Sequence, residues 1–180
     1  RSIRGLVSIG VNAPIHDPEV RKKIPKEKIL EAWSKIKDKV FFYDHFGSSD
    51  SDDLLNRIRF MVLALNCRYV FLDHISIVIS GLQEGDERRL IDNTMTRLRK
   101  LVEELKIAMV VVSHLKRVEG KTSHEEGHQT SLSHLRGSHS LAQLSDTVIG
   151  FERNQQSETE SNIMYARVLK NRHLGDTGIA

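Results

Sequence analysis

Two polar side chains stand at the ends of two apolar runs. Tyr69-Val70-Phe71-Leu72 runs into Asp73, and Ile107-Ala108-Met109-Val110-Val111-Val112 runs through Ser113 into His114. In an open α/β sheet, ligands bind at the carboxyl ends of the strands. An aspartate ending a buried apolar strand supplies what a Walker B site needs, a carboxylate that holds Mg²⁺, usually through water, beside the phosphates of a nucleotide. An imidazole ending the adjacent strand could sense the γ-phosphate. Alone the pair is a weak signal, because polar residues commonly end strands.

Two other motifs invite chemistry and fail on context. His124-Glu125-Glu126-Gly127-His128 matches H-E-x-x-H, in which two imidazoles one helical turn apart hold zinc and the glutamate acts as general base. That arrangement needs a stable helix. Here Gly127 sits inside it, Thr122, Ser123, Gln129, Thr130 and Ser131 flank it, and no apolar face anchors it, so it reads as a polar loop. Gly120-Lys121-Thr122 ends like a phosphate-binding P-loop, but the first glycine of G-x-x-x-x-G-K-[ST] would fall on Leu115 and no apolar helix follows. The sequence therefore carries no Walker A motif.

The elements that must position Asp73 and His114 follow from patterning. Leu54, Leu55, Ile58, Met61, Val62 and Leu65 form one face of an amphipathic helix before the first apolar run. Gly81 to Asp86 reads as a polar turn, and Leu90, Ile91, Met95, Leu98, Leu101, Val102 and Leu105 as a long helix. Strand, helix and strand over 69–114 make a βαβ unit with parallel strands. Apolar runs without alternation imply a sheet covered on both faces. Lys116 to Ser133 is long for a loop in a compact domain, which points to a functional or mobile segment. Leu141 and Leu144 suggest a short helix, and the last strand is placed at Ile163 to Leu169. Upstream, Arg1 to Val7 reads as the tail of a helix, Asn12 to Pro18 as a loop, Pro25 to Lys37 as a helix and Val40 to Tyr43 as a short strand; Gly47 to Ser51 breaks the chain.

Composition narrows the class. The chain has 180 residues, 39% hydrophobic and 28% charged, the balance of an ordinary globular domain with a real core. The net charge of +3 permits nucleic-acid contact without arguing for it. One cysteine, Cys67, rules out an intramolecular disulfide framework. No apolar run reaches the length of a membrane span, so no membrane partner is expected. Both ends read as cut, and the segment is treated as a piece of a longer chain.

Taken in order, the motifs resemble the hexameric replicative helicases, in particular the helicase half of phage primase–helicases within the DnaB group. The resemblance runs through Leu72-Asp73-His74-Ile75-Ser76, Asp86-Glu87-Arg88-Arg89 and Val112-Ser113-His114-Leu115-Lys116. It continues in His124-Glu125-Glu126-Gly127, Leu135-Arg136-Gly137-Ser138, Gln143-Leu144-Ser145-Asp146 and Glu152-Arg153-Asn154-Gln155-Gln156, then Lys170-Asn171-Arg172 and Gly175-Asp176-Thr177-Gly178. It is strong from Tyr69 to the C-terminus and faint over residues 1–50, so the chain is expected to be one partial motor domain, with 51–180 spanning the Walker B to arginine-finger region.

The resemblance implies an α/β, RecA-like core with a mostly parallel central sheet flanked by helices, its P-loop unit missing. It implies a homo-oligomeric ring that binds an NTP, ATP or dTTP, with Mg²⁺ between neighbours and threads single-stranded DNA, with a linked primase domain as a further partner and the cytoplasm of an infected bacterial host as the setting. Asp73 takes the Walker B role, His114 couples the γ-phosphate state to the neighbouring DNA loop, and Gln143 links nucleotide and DNA sites. Arg172 resembles the arginine finger donated in trans, assisted by Lys170, and Arg153 the residue packed against the base. Lys116, Arg117, Lys121, Arg136 and Gly137 fall in the segment implied to follow DNA, where cations track a phosphate backbone without reading sequence.

Each of these has a plainer reading. Arg172 could be a surface salt-bridge partner, Arg153 a solvated side chain and Gln143 a helix-surface residue. The chain also departs from the family, which often has Gly where His139 stands; an imidazole there changes the backbone approach to a phosphate and adds a titratable donor. The family's Walker A motif and catalytic glutamate are expected upstream of Arg1, so the segment alone is expected to lack NTPase activity. Two rivals remain open: another RecA-like motor such as a recombinase, and a non-catalytic DNA-binding or assembly module.

Overall fold

The computed structural model describes residues 2–43, 51–76, 84–116, 123–135 and 139–179, with 2, 51 and 84–87 described in backbone only. The chain divides into two compact units, Arg1–His45 and Phe46–Ala180.

The first unit packs three helices, α1 (Ser2–Val11), α2 (Pro18–Lys23) and α3 (Lys26–Ser34). Asp17 caps α2 by accepting the Glu19 N–H at 2.8 Å, with Pro18 at the first helical position, where its missing N–H costs nothing. Val7, Ile15 and Ala32 form the buried centre, with Ile29, Trp33 and Ile36 packed around it. A Cβ added at Gly10 would stand 2.9 Å from the Ala32 Cβ, so glycine is what allows α1 to approach α3 so closely. The helix expected over Pro25–Lys37 ends at Ser34 and continues as turns. Val40–Tyr43, expected as a strand, is not one: it pairs with no described strand, and Phe41, Phe42 and Tyr43 are exposed.

The second unit holds α4 (Ser51–Leu65), β1 (Tyr69–Leu72), α5 (Glu84–Leu105), β2 (Ala108–Val111), a 3₁₀ turn at Leu132–His134, α6 (His139–Leu144), β3 (Thr147–Glu152), β4 (Tyr165–Asn171) and β5 (Gly178–Ile179). Helix α5 is highly charged but presents Ile91, Thr94, Met95, Leu98 and Leu101 at helical spacing, all buried. They pack with Leu55 and Ile58 of α4, Leu72, Ile75 and Leu141 into one core. Helices α4 and α5 are followed directly by Asn66 and Lys106, both left-handed at φ 55° and 53°, the backbone that turns a helix C-terminus toward the following strand. Residues Gly81 to Gln83 of the expected turn lie outside the described residues, and from Glu84 the backbone is already helical.

The expected βαβ unit is present. Strands β1 and β2 are parallel, with Tyr69 opposite Ala108 and Leu72 opposite Val111. Its expected burial on both faces is not. Val70, Leu72, Met109 and Val111 turn to the helical core, while Tyr69 and Phe71 are each 73% exposed and Val110 is also exposed. The remaining strands form a separate antiparallel sheet in the order β3-β4-β5, with a register shift between Val148 and Ile149. A continuous, mostly parallel sheet is therefore not seen among the described residues. Strand β3 was also absent from the sequence-based assignment, which placed only the strand at 163–169 here.

Candidate functional site

The end of the parallel pair is built from backbone first. Beyond the last register pair, the Val112 N–H donates to the Leu72 carbonyl at 2.9 Å and the Ile75 N–H to the Val112 carbonyl at 3.0 Å. Ile75 is fully buried and pins the turn that follows β1. Asp73 and His114 thus sit at the same carboxyl edge, on neighbouring chains of one ladder. The Asp73 side chain is exposed and makes no hydrogen bond or ion pair with any described residue, so its oxygens are available. A lone accessible carboxylate suits Mg²⁺, which keeps several waters and takes only one or two protein carboxylates. The His114 ring lies 4.2 Å from the ring of His74, tilted by 58°. The two imidazoles meet where the hydrogen-bonded ladder stops.

A second cluster gathers around the C-terminus of α6. Lys170 donates to the carbonyls of Ala142 at 2.6 Å, Ser145 at 2.9 Å and Gln143 at 3.2 Å. These are the carbonyls a helix leaves without partners at its end, where a cation is favoured. Arg172 pairs through Nη1 with Asp146 Oδ1 at 2.8 Å and donates from Nη2 to the Gln143 carbonyl at 2.7 Å. Its backbone N–H also reaches the Asp146 carbonyl at 2.8 Å. The other Asp146 oxygen takes Arg99 Nη1, from α5, at 2.6 Å. The hydrogen bond from Arg99, more than the charge of Arg172, holds the Asp146 carboxyl below its usual range. The plainer reading of Arg172, a salt bridge, is thus what this chain makes within itself. Gln143 keeps its side chain exposed on α6. Arg153 is exposed and donates from Nε to the Ser161 carbonyl at 2.5 Å, closing the turn after β3. None of Gln143, Arg153, Lys170 and Arg172 hydrogen-bonds to Asp73 or His114.

The long segment after β2 is docked over its described second half. Leu115 bridges Leu135, Glu126 bridges Asn154, and the Gln155 N–H donates to the Glu125 carbonyl at 2.9 Å. The H-E-x-x-H stretch is a turn, with Gly127 at φ +82° and close against Asn154, and not the helix that zinc chemistry would need. The rings of His124, His128 and His134 nonetheless lie 5.2–5.7 Å apart, and burial with the neighbouring imidazoles pushes the His134 pKa down. Glu152 is the residue that sequence reasoning missed. It is buried at 7% exposure and accepts the Thr130 N–H at 2.7 Å, the Thr130 hydroxyl at 2.8 Å and Arg167 Nε at 2.7 Å, with Nη2 at 3.1 Å. The signal available was a lone glutamate closing an apolar run, Thr147 to Phe151.

Of the residues expected to follow DNA, Arg117, Lys121, Arg136 and Gly137 lie outside the described residues. Lys116 is exposed, its backbone N–H held by the His134 carbonyl at 2.7 Å. It shares a small depression with Arg88, Leu132, Ser133, Leu135 and His139. Arg88 was not among the expected DNA contacts; it stands on α5, and His139, expected to alter the approach to a phosphate, is the first residue of α6.

A βαβ unit with parallel strands, an aspartate and a histidine at their carboxyl edge, belongs to an α/β domain, and its family follows from comparison with known proteins. Residues 9–180 match the family model of the DnaB-like helicase C-terminal domain. The chain belongs to that family, whose fold is RecA-like. It is similar to the "DNA helicase/primase" of Enterobacteria phage T3, 43% identical over 165 residues that cover 90% of this chain and 29% of the relative. It is also similar to the "Probable plasmid replicative DNA helicase" of Chlamydia psittaci, 26% identical over 148 residues that cover 81% of this chain and 32% of the relative. The chain thus spans about a third or less of these relatives' length.

Proposed function

We propose that this chain is the Walker B to arginine-finger part of a replicative helicase motor that couples NTP hydrolysis to movement along single-stranded DNA and to duplex unwinding. The observation that carries this reading is the shared carboxyl edge of β1 and β2, with Asp73 bonded to no described residue and His114 at the end of the adjacent strand. Asp73 would hold a hydrated Mg²⁺, which would neutralise phosphate charge. His114 reports the state of the γ-phosphate from the next strand. Arg172, assisted by Lys170, serves the nucleotide of a neighbouring subunit in a homo-oligomeric ring; within its own chain it bonds to Asp146 and the Gln143 carbonyl and not to Asp73. Arg153 packs against the base, and Gln143 links the nucleotide and DNA sites. A guanidinium is always charged and forks onto phosphate oxygens, which is the chemistry such a role demands.

The mostly parallel central sheet belongs to the same proposal. The bare apolar face of Tyr69, Phe71 and Val110, and the edges of β2 and β3 that pair with no described strand, are where the rest of a RecA-like core would add its layer and its strands. The 180 residues hold no G-x-x-x-x-G-K-[ST] motif to cradle the phosphates, so the segment by itself is expected to be inactive.

Arg88 and Lys116, with His139, form the described part of the proposed DNA contact. The full-length protein is expected to bind an unstructured DNA strand more tightly with Mg²⁺ and a nonhydrolysable NTP than without. Arg88→Ala and Lys116→Ala are each expected to weaken binding by a similar factor on any sequence and to lower the salt slope by about 1. Binding measured by fluorescence anisotropy across a salt series checks this. Nucleotide-independent binding would favour the non-catalytic module, and an unchanged salt slope would remove these two cations from the contact.

A further inference from the structure

We propose that Asp146 is the positioning residue for Arg172, and that its carboxylate and the last carbonyls of α6 form a seat that presents the guanidinium to a neighbouring subunit. This rests on the reading of Arg172 as an arginine donated in trans. A guanidinium has five N–H donors in a rigid fork. The seat uses one hydrogen on Nη1, to Asp146, and one on Nη2, to the Gln143 carbonyl. That leaves the Nε–H and one hydrogen on each terminal nitrogen for a phosphate. The seat therefore holds the arginine without consuming it.

Three features make the seat rigid. Asp146 is bonded from both sides, by Arg172 and by Arg99 of α5, so its carboxylate is fixed to the helical core's longest element. The backbone of residue 172 is tied to the backbone of 146, which sets the root of the side chain as well as its tip. Lys170 caps the same helix end through three carbonyls, so the Gln143 carbonyl that receives Arg172 is itself held. A flexible arginine loses side-chain entropy whenever it is ordered. An arginine already ordered by its own chain pays less at the moment a phosphate arrives. The seat also joins two residues that the sequence separates by 29 positions: Gln143 carries on its backbone the acceptor that orients Arg172. A shift of α6 caused by DNA at the Gln143 side chain would move the guanidinium directly.

The test compares steady-state NTP hydrolysis, stimulated by single-stranded DNA, in the full-length protein and in variants at Asp146. Asp146→Asn is expected to lower kcat about 10-fold or more with little change in KM, since a neighbour's arginine acts on the transferring phosphoryl group and not on nucleotide capture. Asp146→Glu is expected to restore a large part of that loss. Arg99→Met, which removes the other partner of the same carboxylate and loosens the seat without removing it, is expected to lower kcat by a smaller factor than Asp146→Asn, again with little change in KM. The double variant Asp146→Asn with Arg172→Ala is expected to be no slower than Arg172→Ala alone, because one residue acts through the other. An unchanged kcat in Asp146→Asn, or additive losses in the double variant, would overturn the seat while leaving the motor reading intact. An unchanged kcat in Arg172→Ala would overturn both, leaving the Asp146–Arg172 pair a structural salt bridge.

Discussion

Replacing Asp73 by Asn in the full-length protein is expected to abolish DNA-stimulated NTP hydrolysis, with kcat falling by about 10³-fold, the scale of removing a group that stabilises transition-state charge. The physical basis is the contrast between what Asp73 does for the fold and what it offers a ligand. Its side chain is exposed and bonds to no described residue, so the amide costs the fold less than about 0.5 kcal/mol, the range of ordinary surface substitutions. The same carboxylate is the charge that would hold a hydrated cation at the strand edge, and an amide cannot replace it. Melting temperature and kcat measured on the same preparation separate the two. A large loss of kcat with an unchanged melting temperature is the expected result. Full activity in Asp73→Asn would remove the carboxylate from the chemistry.

Glu152→Ala is expected to have the largest effect on stability, about 3 kcal/mol, as is typical when one partner of a buried, hydrogen-bonded ion pair is removed. Four donors from two segments converge on this carboxylate: the Thr130 N–H and hydroxyl from the docked loop, and two nitrogens of Arg167 from β4. Removing it leaves Arg167 half-buried without its anion and frees the loop that carries His124 to Ser133. Arg167 first, then Thr130, hold the Glu152 pKa at about 2, against an ordinary value of 4.5. A depressed carboxylate pKa contributes stability above the unfolded value and loses it as pH falls toward the folded one. Stability should therefore decline between pH about 4.5 and about 2, and Glu152→Gln should flatten that decline. Urea unfolding of the protein and the variant across this range checks it. A parallel decline in both would mean that other carboxylates govern acid unfolding. Gly150 belongs to the same contact, since a Cβ there would stand 2.1 Å from the Thr130 hydroxyl oxygen and 2.8 Å from its Cβ.

What was legible in the sequence was whatever local pattern and chain order determine. The βαβ unit was readable because α5 repeats its apolar residues at helical spacing and the two apolar runs flank it. Asp73 and His114 were readable as a pair because strand ends are visible in sequence. The coverage of the sheet was not: Tyr69, Phe71 and Val110 make the runs look buried on both sides, yet among the described residues the packed face is that of Val70, Leu72, Met109 and Val111. The segment expected as a strand at Val40 to Tyr43 had the right residues but forms no ladder with any described strand, and strands exist only in ladders. Glu152, Asp146 and Arg88 were invisible for a related reason. Each matters through residues 15 to 51 positions away (Arg167 and Thr130, Arg99 and Arg172, Lys116 and His139), and no spacing rule reaches that far.

The central claim is that the strand edge at Asp73 and His114 belongs to a motor that opens duplex DNA. Its most direct test is strand separation of a forked DNA duplex by the full-length protein with Mg²⁺ and either ATP or dTTP, run beside Asp73→Asn. The account predicts displacement of one strand by the parent protein that requires a hydrolysable nucleotide and is lost in the variant. Strand exchange or filament formation without displacement, or displacement equal in the two proteins, would contradict it.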